Sequence, residues 1–316
     1  MDDLIQESAN REQYVEGLSA KLGHDKRPVL ERLPLADLRY LSWRWDLWPY
    51  YADPKRGGWQ FGRAAAAVER GERALAEIEA CATADWIATR MLDVGCGDGG
   101  FLIAMARRGM CAHGVDLAEH NIMGAYLRGR SWQLPVCATV ASANSLPYPS
   151  ESFDALTCGD VIEHVGQPLV ALQEIRRVLR PGGYLWLAAP TRYFVPYLWR
   201  DPHYGFCGVS VLPRRAAAWY LSRVRRALPT PHHYEVERLP TYGAMVAALR
   251  RLGFEILAGE YRSLTLVRNP AYVQTRWKRR LLASLLALGL RAPLNAIYRL
   301  KAELTWPIRV VCRKIS

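Results

Sequence analysis

Between Leu92 and Gly100 the chain reads Leu-Asp-Val-Gly-Cys-Gly-Asp-Gly-Gly. Glycines at 95, 97 and 99 allow a sharp turn and bring backbone amides close to a ligand. The spacing is GxGxG, whereas a pyrophosphate suits GxGxxG, and an acid, Asp93, stands ahead of it. A carboxylate there repels a diphosphate and attracts an ammonium group. A second acid, Asp116, follows 23 residues later. In nucleotide-binding α/β units a carboxylate so placed accepts hydrogen bonds from a ribose diol. Together the two acids select a nucleoside that carries a cationic amine.

A second constellation is Gly159-Asp160-Val-Ile-Glu163-His164. If it opens a helix, Asp160, Glu163 and His164 stand at i, i+3 and i+4 and share one face. Three readings follow from those residue types. His164 is a general base oriented by a carboxylate. Alternatively, Asp160, Glu163 and His164 are hard oxygen and imidazole ligands for a divalent metal. The third reading is structural, with acids complementing a helix N-terminus. A further candidate base is His203, in the turn-forming run Asp201-Pro-His-Tyr-Gly205. His232-His233 reads as a pair of loop residues.

These side chains need a scaffold, and from Asp85 the pattern alternates strand and helix. Short apolar strands are predicted at Met91–Val94, up to Asp116, at Val136–Val140, Phe153–Thr157 and Tyr184–Ala189. Helices are predicted from about Gly99 to Arg108, and again where Leu169, Leu172, Ile175 and Leu179 line one face. Arg180-Pro-Gly-Gly183 ends the second of these. The alternation predicts an α/β fold, a doubly wound and mostly parallel sheet with helices on both faces. Residues 190–240 interrupt the rhythm and are rich in Pro, Tyr, Trp, His and Arg. An insertion at the carboxyl edge of such a sheet overhangs its ligand crevice. A helix near 241–252 and strands near Phe254–Glu260 and Ser263–Arg268 resume the pattern. Ahead of the sheet, residues 1–83 read as a helical cap. Its aromatic cluster runs from Tyr40 through Trp43, Trp45 and Trp48 to Trp59, either as a packed core or as a pocket wall.

Residues 84–268 resemble the class I S-adenosylmethionine (SAM)-dependent methyltransferases. Three motifs in order carry the resemblance: Leu92–Gly99, Leu146-Pro-Tyr-Pro-Ser-Glu-Ser-Phe-Asp154, and Leu179-Arg-Pro-Gly-Gly183. The resemblance implies a seven-stranded Rossmann-like sheet with its last strand antiparallel, and SAM as cofactor. It assigns the methionine part of SAM to Asp93, Gly95, Cys96, Gly97 and Gly99, and the ribose to Asp116. Leu117 would flank the adenine, with Ser142, Ala143 and Gly159 completing the site. Many relatives carry Asp where this chain has Ser142, so the adenine contact departs from their pattern. Residues 160–164 are similar to the ExxEH segment of metal-dependent quinone-biosynthesis O-methyltransferases, with Asp replacing the first Glu.

Composition bounds the rest. The chain has 316 residues, half of them hydrophobic, enough for a sizeable core. Its seven cysteines form no CxxC pair, which points to a reducing, cytoplasmic setting. The opening MDDLIQESANREQ is too polar for a signal peptide. From Tyr261 to Ser316 there are 12 Lys/Arg against one acid, Glu303, so this segment carries +11 of the net +12. Residues 269–316 therefore read as a basic amphipathic tail. It contains Arg276-Trp-Lys-Arg-Arg280 followed by the Leu-rich stretch 281–290, too short to cross a bilayer. The tail suits an anionic membrane interface, a pair of docked helices, or RNA phosphates. The leading expectation is a peripheral O-methyltransferase at the inner membrane face, acting on a small-molecule or lipid-linked hydroxyl such as a glycan, lipid or quinone precursor. The alternatives are an RNA methyltransferase and a non-catalytic, membrane-associated scaffold that keeps the fold.

Overall fold

The structure, a computed structural model, describes residues 2–47, 61–83, 90–193, 195, 207–224, 239–259, 275–305 and 307–315. Seven strands form one sheet in the order β3-β2-β1-β4-β5-β7-β6. Two compact units divide the chain within β4, at Thr157/Cys158.

The first unit opens with helices α1 (Asp2–Leu22) and α2 (Leu35–Leu47), then α3 (Ala67–Glu79). Val15, Leu18, Leu30, Leu38, Tyr40, Leu41 and Phe61 form a buried cluster, so this part of the cap has its own apolar core. Tyr40 belongs to that core, while Trp43 and Trp45 are half-buried. Trp48 and Trp59 lie outside the described residues. Strand β1 (Arg90–Val94) leads into α4 (Gly100–Arg107), β2 (Cys111–Asp116), α5 (Glu119–Trp132), β3 (Cys137–Val140) and β4 (Phe153–Gly159). β1 pairs parallel with β2, and β2 with β3. Met91, Leu92 and Val94, like Ala155 and Leu156, are almost wholly buried, as strands covered on both faces require. After β3 the chain returns past β2 and β1, so the strand order reverses beside β1. In open α/β sheets the carboxyl ends at such a reversal face the ligand crevice.

The motif Leu146–Asp154 has a structural use. The rings of His113, Tyr148 and Phe153 meet edge-on, with centroids 4.9–5.8 Å apart. Asp154 accepts the Arg90 backbone N–H at 2.8 Å and so fixes the start of β1.

The second unit carries α6 (Pro168–Val178), β5 (Leu179–Ala189), α7 (Arg214–Val224), α8 (Tyr242–Arg251), β6 (Phe254–Ala258), α9 (Arg276–Ala287), α10 (Arg291–Thr305) and β7 (Ile308–Lys314). α6 buries Ala171, Leu172, Ile175 and Val178, but Leu169, expected on that face, is 60% exposed at its first turn. Thr241 caps α8 by accepting the Ala244 N–H at 3.2 Å.

The closing strands differ from expectation. β6 begins at Phe254 as expected, but its antiparallel partner is Ile308–Lys314, which also pairs antiparallel with β5. The alternative strand, Ser263–Arg268, lies outside the described residues. The domain boundary expected at residue 268 therefore does not hold. The sheet reaches almost to the end of the chain, and 269–316 is no simple tail. α9 and α10 stand between β6 and β7 in sequence. The physical reason is burial: Ile308, Val310, Val311 and Cys312 are each no more than 2% exposed, a run too apolar for a surface tail.

Candidate cofactor site

The glycine turn leaves β1 and is braced on β2. The N–H groups of Gly95 and Cys96 both donate to the Val115 carbonyl, at 2.7 and 2.9 Å, and Gly99 N–H donates to Cys96 O at 2.9 Å. Gly97 and Gly99 adopt left-handed backbone, φ +51° and +81°. Their surroundings differ. A Cβ on Gly97 would meet nothing within 4 Å, so that face is open to a ligand. A Cβ on Gly99 would come within 2.9 Å of the Ala125 backbone, so that glycine serves the packing of α5.

Asp116 closes the turn from the end of β2. Its Oδ2 accepts Gly97 N–H at 2.9 Å, and its Oδ1 accepts Ala118 N–H at 2.9 Å and Asn121 Nδ2 at 3.1 Å. A carboxylate has about four lone-pair sites, so capacity remains for a hydroxyl. Leu117 follows at 75% exposure, an apolar side chain that a flat ring could cover. Ser142 Oγ accepts the Asn144 N–H at 3.2 Å, and Ala143 beside it is half-buried.

Asp93 is 3% exposed and accepts a 2.7 Å hydrogen bond from Thr157 Oγ1. Burial pushes its carboxyl up to about 7, opposed by the Thr157 bond and reinforced by Asp116. Cys96 is also buried, and its thiol is pushed up by that burial and by the neighbouring acids.

The spacing rules missed what holds the turn from outside. Asp98 accepts hydrogen bonds from Tyr40 Oη and Arg128 Nη2, each at 3.0 Å, and lies 3.6 Å from Arg44 Nη1. Burial raises the Asp98 carboxyl, but the two guanidiniums and the Tyr40 hydroxyl outweigh it and hold it below the usual range. The one signal in the sequence is a charged Arg128 close to the apolar Ile122, Ala125 and Leu127, between the second and third strands, and it does not name the partners.

In the second unit, β4 ends at Gly159, which is half-buried. Asp160 takes φ +58°, and its N–H donates to Ala188 O at 2.9 Å. The expected continuous helix is therefore absent, replaced by one 3₁₀ turn over Ile162–His164. Glu163 is 2% exposed and His164 Nε2 lies 3.9 Å from Glu163 Oε1, beyond hydrogen-bond length. Asp160, Glu163 and His164 do not share a helical face. Among the described residues no group of three His, Cys, Asp or Glu is placed to hold a metal ion. Of the three readings of this segment, the metal one lacks its geometry: a left-handed residue interrupts the helix that would have gathered the ligands. His203 and His232-His233 lie outside the described residues.

Comparison with known proteins shows what this site is similar to. Residues 92–187 match the family described as "Methyltransferase domain". The ubiquinone biosynthesis O-methyltransferase of Xanthomonas oryzae pv. oryzae (strain PXO99A) is 38% identical over 109 residues, 34% of this chain and 46% of that protein. The enzyme of the same name from Parvibaculum lavamentivorans is 35% identical over 103 residues, 33% of this chain and 41% of that protein. This chain thus spans under half the length of these curated relatives. A solved S-adenosylmethionine dependent methyltransferase from Mesorhizobium loti is 19% identical, with coverage of 76% of this chain and 96% of that one and a TM-score of 0.47. The family match begins in β1 and ends in β5, and it takes in the glycine turn, Asp116 and the Leu146–Asp154 motif. Through residues 92–187, the stretch that builds this site, the chain is similar to methyltransferase domains.

Proposed function

We propose that the protein is a SAM-dependent O-methyltransferase whose acceptor is a hydroxyl on a small, membrane-associated molecule, with a quinone precursor as first candidate. The observation that carries the methyl-donor half is the turn at Gly97, open to a ligand and tied to Asp116, above a buried Asp93. Asp116 would take the ribose diol, Leu117 and the Ser142–Ala143 loop the adenine, and Gly95, Cys96, Gly97 and Gly99 the methionine part. Asp93 would offset the ammonium charge. The quinone-precursor half is supported by the names of the curated relatives.

Methyl transfer is an in-line displacement on a sulfonium carbon. The acceptor oxygen attacks the methyl carbon, the carbon–sulfur bond breaks, and the hydroxyl proton must leave. Positioning supplies much of the rate, and a base accepts the proton. His164, with 29% of its side chain exposed, is the candidate base among the described residues; Gly159, ahead of it, would border the cofactor.

The decisive experiment is calorimetry with SAM on the full chain, followed by turnover with a polyprenylated catechol. Asp116→Ala should lower SAM affinity at least about tenfold by leaving Gly97 N–H and the ribose without an acceptor. Failure of the wild-type chain to bind SAM would sink the enzyme reading and favour a non-catalytic scaffold. Binding without turnover on catechols, but with turnover on RNA, would move the acceptor class.

A further inference from the structure

Arg128 of α5 is wholly buried, and its contacts reach three separate segments. Its Nη2 donates to Asp98 of the glycine turn and to the Ala64 carbonyl, both at 3.0 Å. Its Nη1 donates to Asp37 of α2 at 3.3 Å. Its guanidinium carbon lies 4.1 Å from the Tyr40 ring centroid. The α5 surface is cut to admit this arrangement. At Gly124, one turn before Arg128, a Cβ would stand 3.0 Å from Arg44 Nη1. Asp98 sits between two left-handed glycines, Gly97 and Gly99, the backbone with the most freedom to lose. Its two donors, Tyr40 and Arg128, and the Arg44 guanidinium paired with it at 3.6 Å all come from outside the turn, Tyr40 and Arg44 from α2.

A buried network of this kind is a poor way to gain stability, since apolar side chains of similar volume do as well or better. Its distinguishing property is geometric: planar guanidinium donors fix both the turn and α2 at once. We propose that Arg128 is a positioning residue for the cofactor turn. It ties α2 to Asp98, so that docking of the N-terminal cap and binding of the nucleoside cofactor are one coupled event. This rests on the methyltransferase reading, because the coupled ligand is SAM or its product.

The test uses the full chain with S-adenosylhomocysteine as probe, read by calorimetry and by hydrogen exchange over residues 35–47. In the wild type the probe should increase protection of α2, because ligand and cap stabilise the same turn. Asp98→Asn keeps the shape but removes the charge that Arg128 and Arg44 face. It should weaken the probe roughly tenfold, within the usual range of linked sites, and abolish the added protection of α2. The KM for SAM should rise while kcat at saturating SAM holds. Arg128→Lys should behave alike, since one ammonium cannot span Asp37, Asp98 and Ala64. If these variants fold poorly, Tyr40→Phe, which removes only one hydroxyl, should give a smaller loss in the same direction. Variants that melt earlier yet bind the probe as tightly as the wild type would reduce the network to a structural clamp. Unchanged exchange of α2 on adding the probe to the wild type would overturn the coupling. A wild-type chain that binds no probe would instead sink the methyltransferase reading, and this inference with it.

Discussion

Burial pushes the Asp93 carboxyl far above its ordinary range, and the shift has a measurable sign. Its ordinary pKa is 3.8; burial raises it to about 7 in the folded chain. Between those values the unfolded chain has already released a proton that the folded chain still holds. Stability therefore falls as pH rises through this window and levels off above it, by an amount on the order of a few kcal/mol. Asp93→Asn should keep the Thr157 hydrogen bond and flatten that slope, measured by urea unfolding between pH 4 and 8. The same logic applies to the ligand. A cationic cofactor favours the carboxylate, so SAM affinity in the wild type should climb from pH 6 to pH 8 and stay flat in the Asn variant. Gly97 gives a complementary expectation. Gly97→Ala meets open space but requires φ +51°, at roughly 1–2 kcal/mol of strain. Its effect on SAM affinity should exceed its effect on stability, because the added methyl enters the ligand face. A drop in thermal midpoint with unchanged affinity would show that Gly97 serves the fold alone.

At the scale of elements the most consequential feature is β7. Deleting everything after residue 270 would remove Ile308, Val310, Val311 and Cys312, each almost wholly buried. Burial of such side chains is worth about 1.5–3 kcal/mol apiece for the larger ones. Together they take up much of the ~5–15 kcal/mol that holds a domain. The truncated chain should therefore lose cooperative unfolding by calorimetry, whatever its effect on partners. A truncation that melts like the full chain would show β7 to be dispensable. The sequence made β1 to β5 legible because a parallel strand is a local apolar run followed by a local helix. It did not reveal β7, because that strand reaches its neighbours only after α9 and α10, and nothing local in Ile308–Lys314 records that it pairs with Tyr184–Ala189. The site was legible for a similar reason. Gly95, Gly97, Asp93 and Asp116 sit at fixed distances along one strand–turn–helix–strand unit. Arg128, Asp37 and Tyr40 depend on long-range packing. The helix expected through Asp160, Glu163 and His164 failed on a single left-handed residue, which periodicity cannot register.

For the whole molecule, the question is what the concentrated positive charge meets. α9, α10 and the turn between them expose Trp277, Leu281, Leu288, Leu290, Ile297 and Leu300, while Leu282 is the residue of α9 that is buried. Trp277, Leu281, Leu285 and Leu288 follow helical spacing, so an apolar stripe runs along α9 among Arg276, Lys278, Arg279 and Arg280. No described helix is long and apolar enough to cross a membrane. Exposed apolar side chains interleaved with cations suit partial insertion at an anionic bilayer surface, where each Lys or Arg contributes ~1 kcal/mol before salt screening. RNA phosphates would use the cations and leave the Leu stripe without a purpose. A surface-bound enzyme would meet an amphipathic acceptor where that acceptor is concentrated, which links this charge to the proposed chemistry. Flotation with vesicles separates the contributions. Replacing Arg276, Arg279 and Arg280 with Gln should abolish the preference for phosphatidylglycerol over phosphatidylcholine vesicles and remove the salt dependence. Replacing Trp277, Leu281 and Leu288 with Ser should abolish flotation on both, with Leu282 left intact to preserve packing. Because β7 stays in place, each variant should keep the wild-type melting curve and SAM affinity. Equal flotation of all three proteins would remove the membrane from the proposed function while leaving the methyl-transfer site as described.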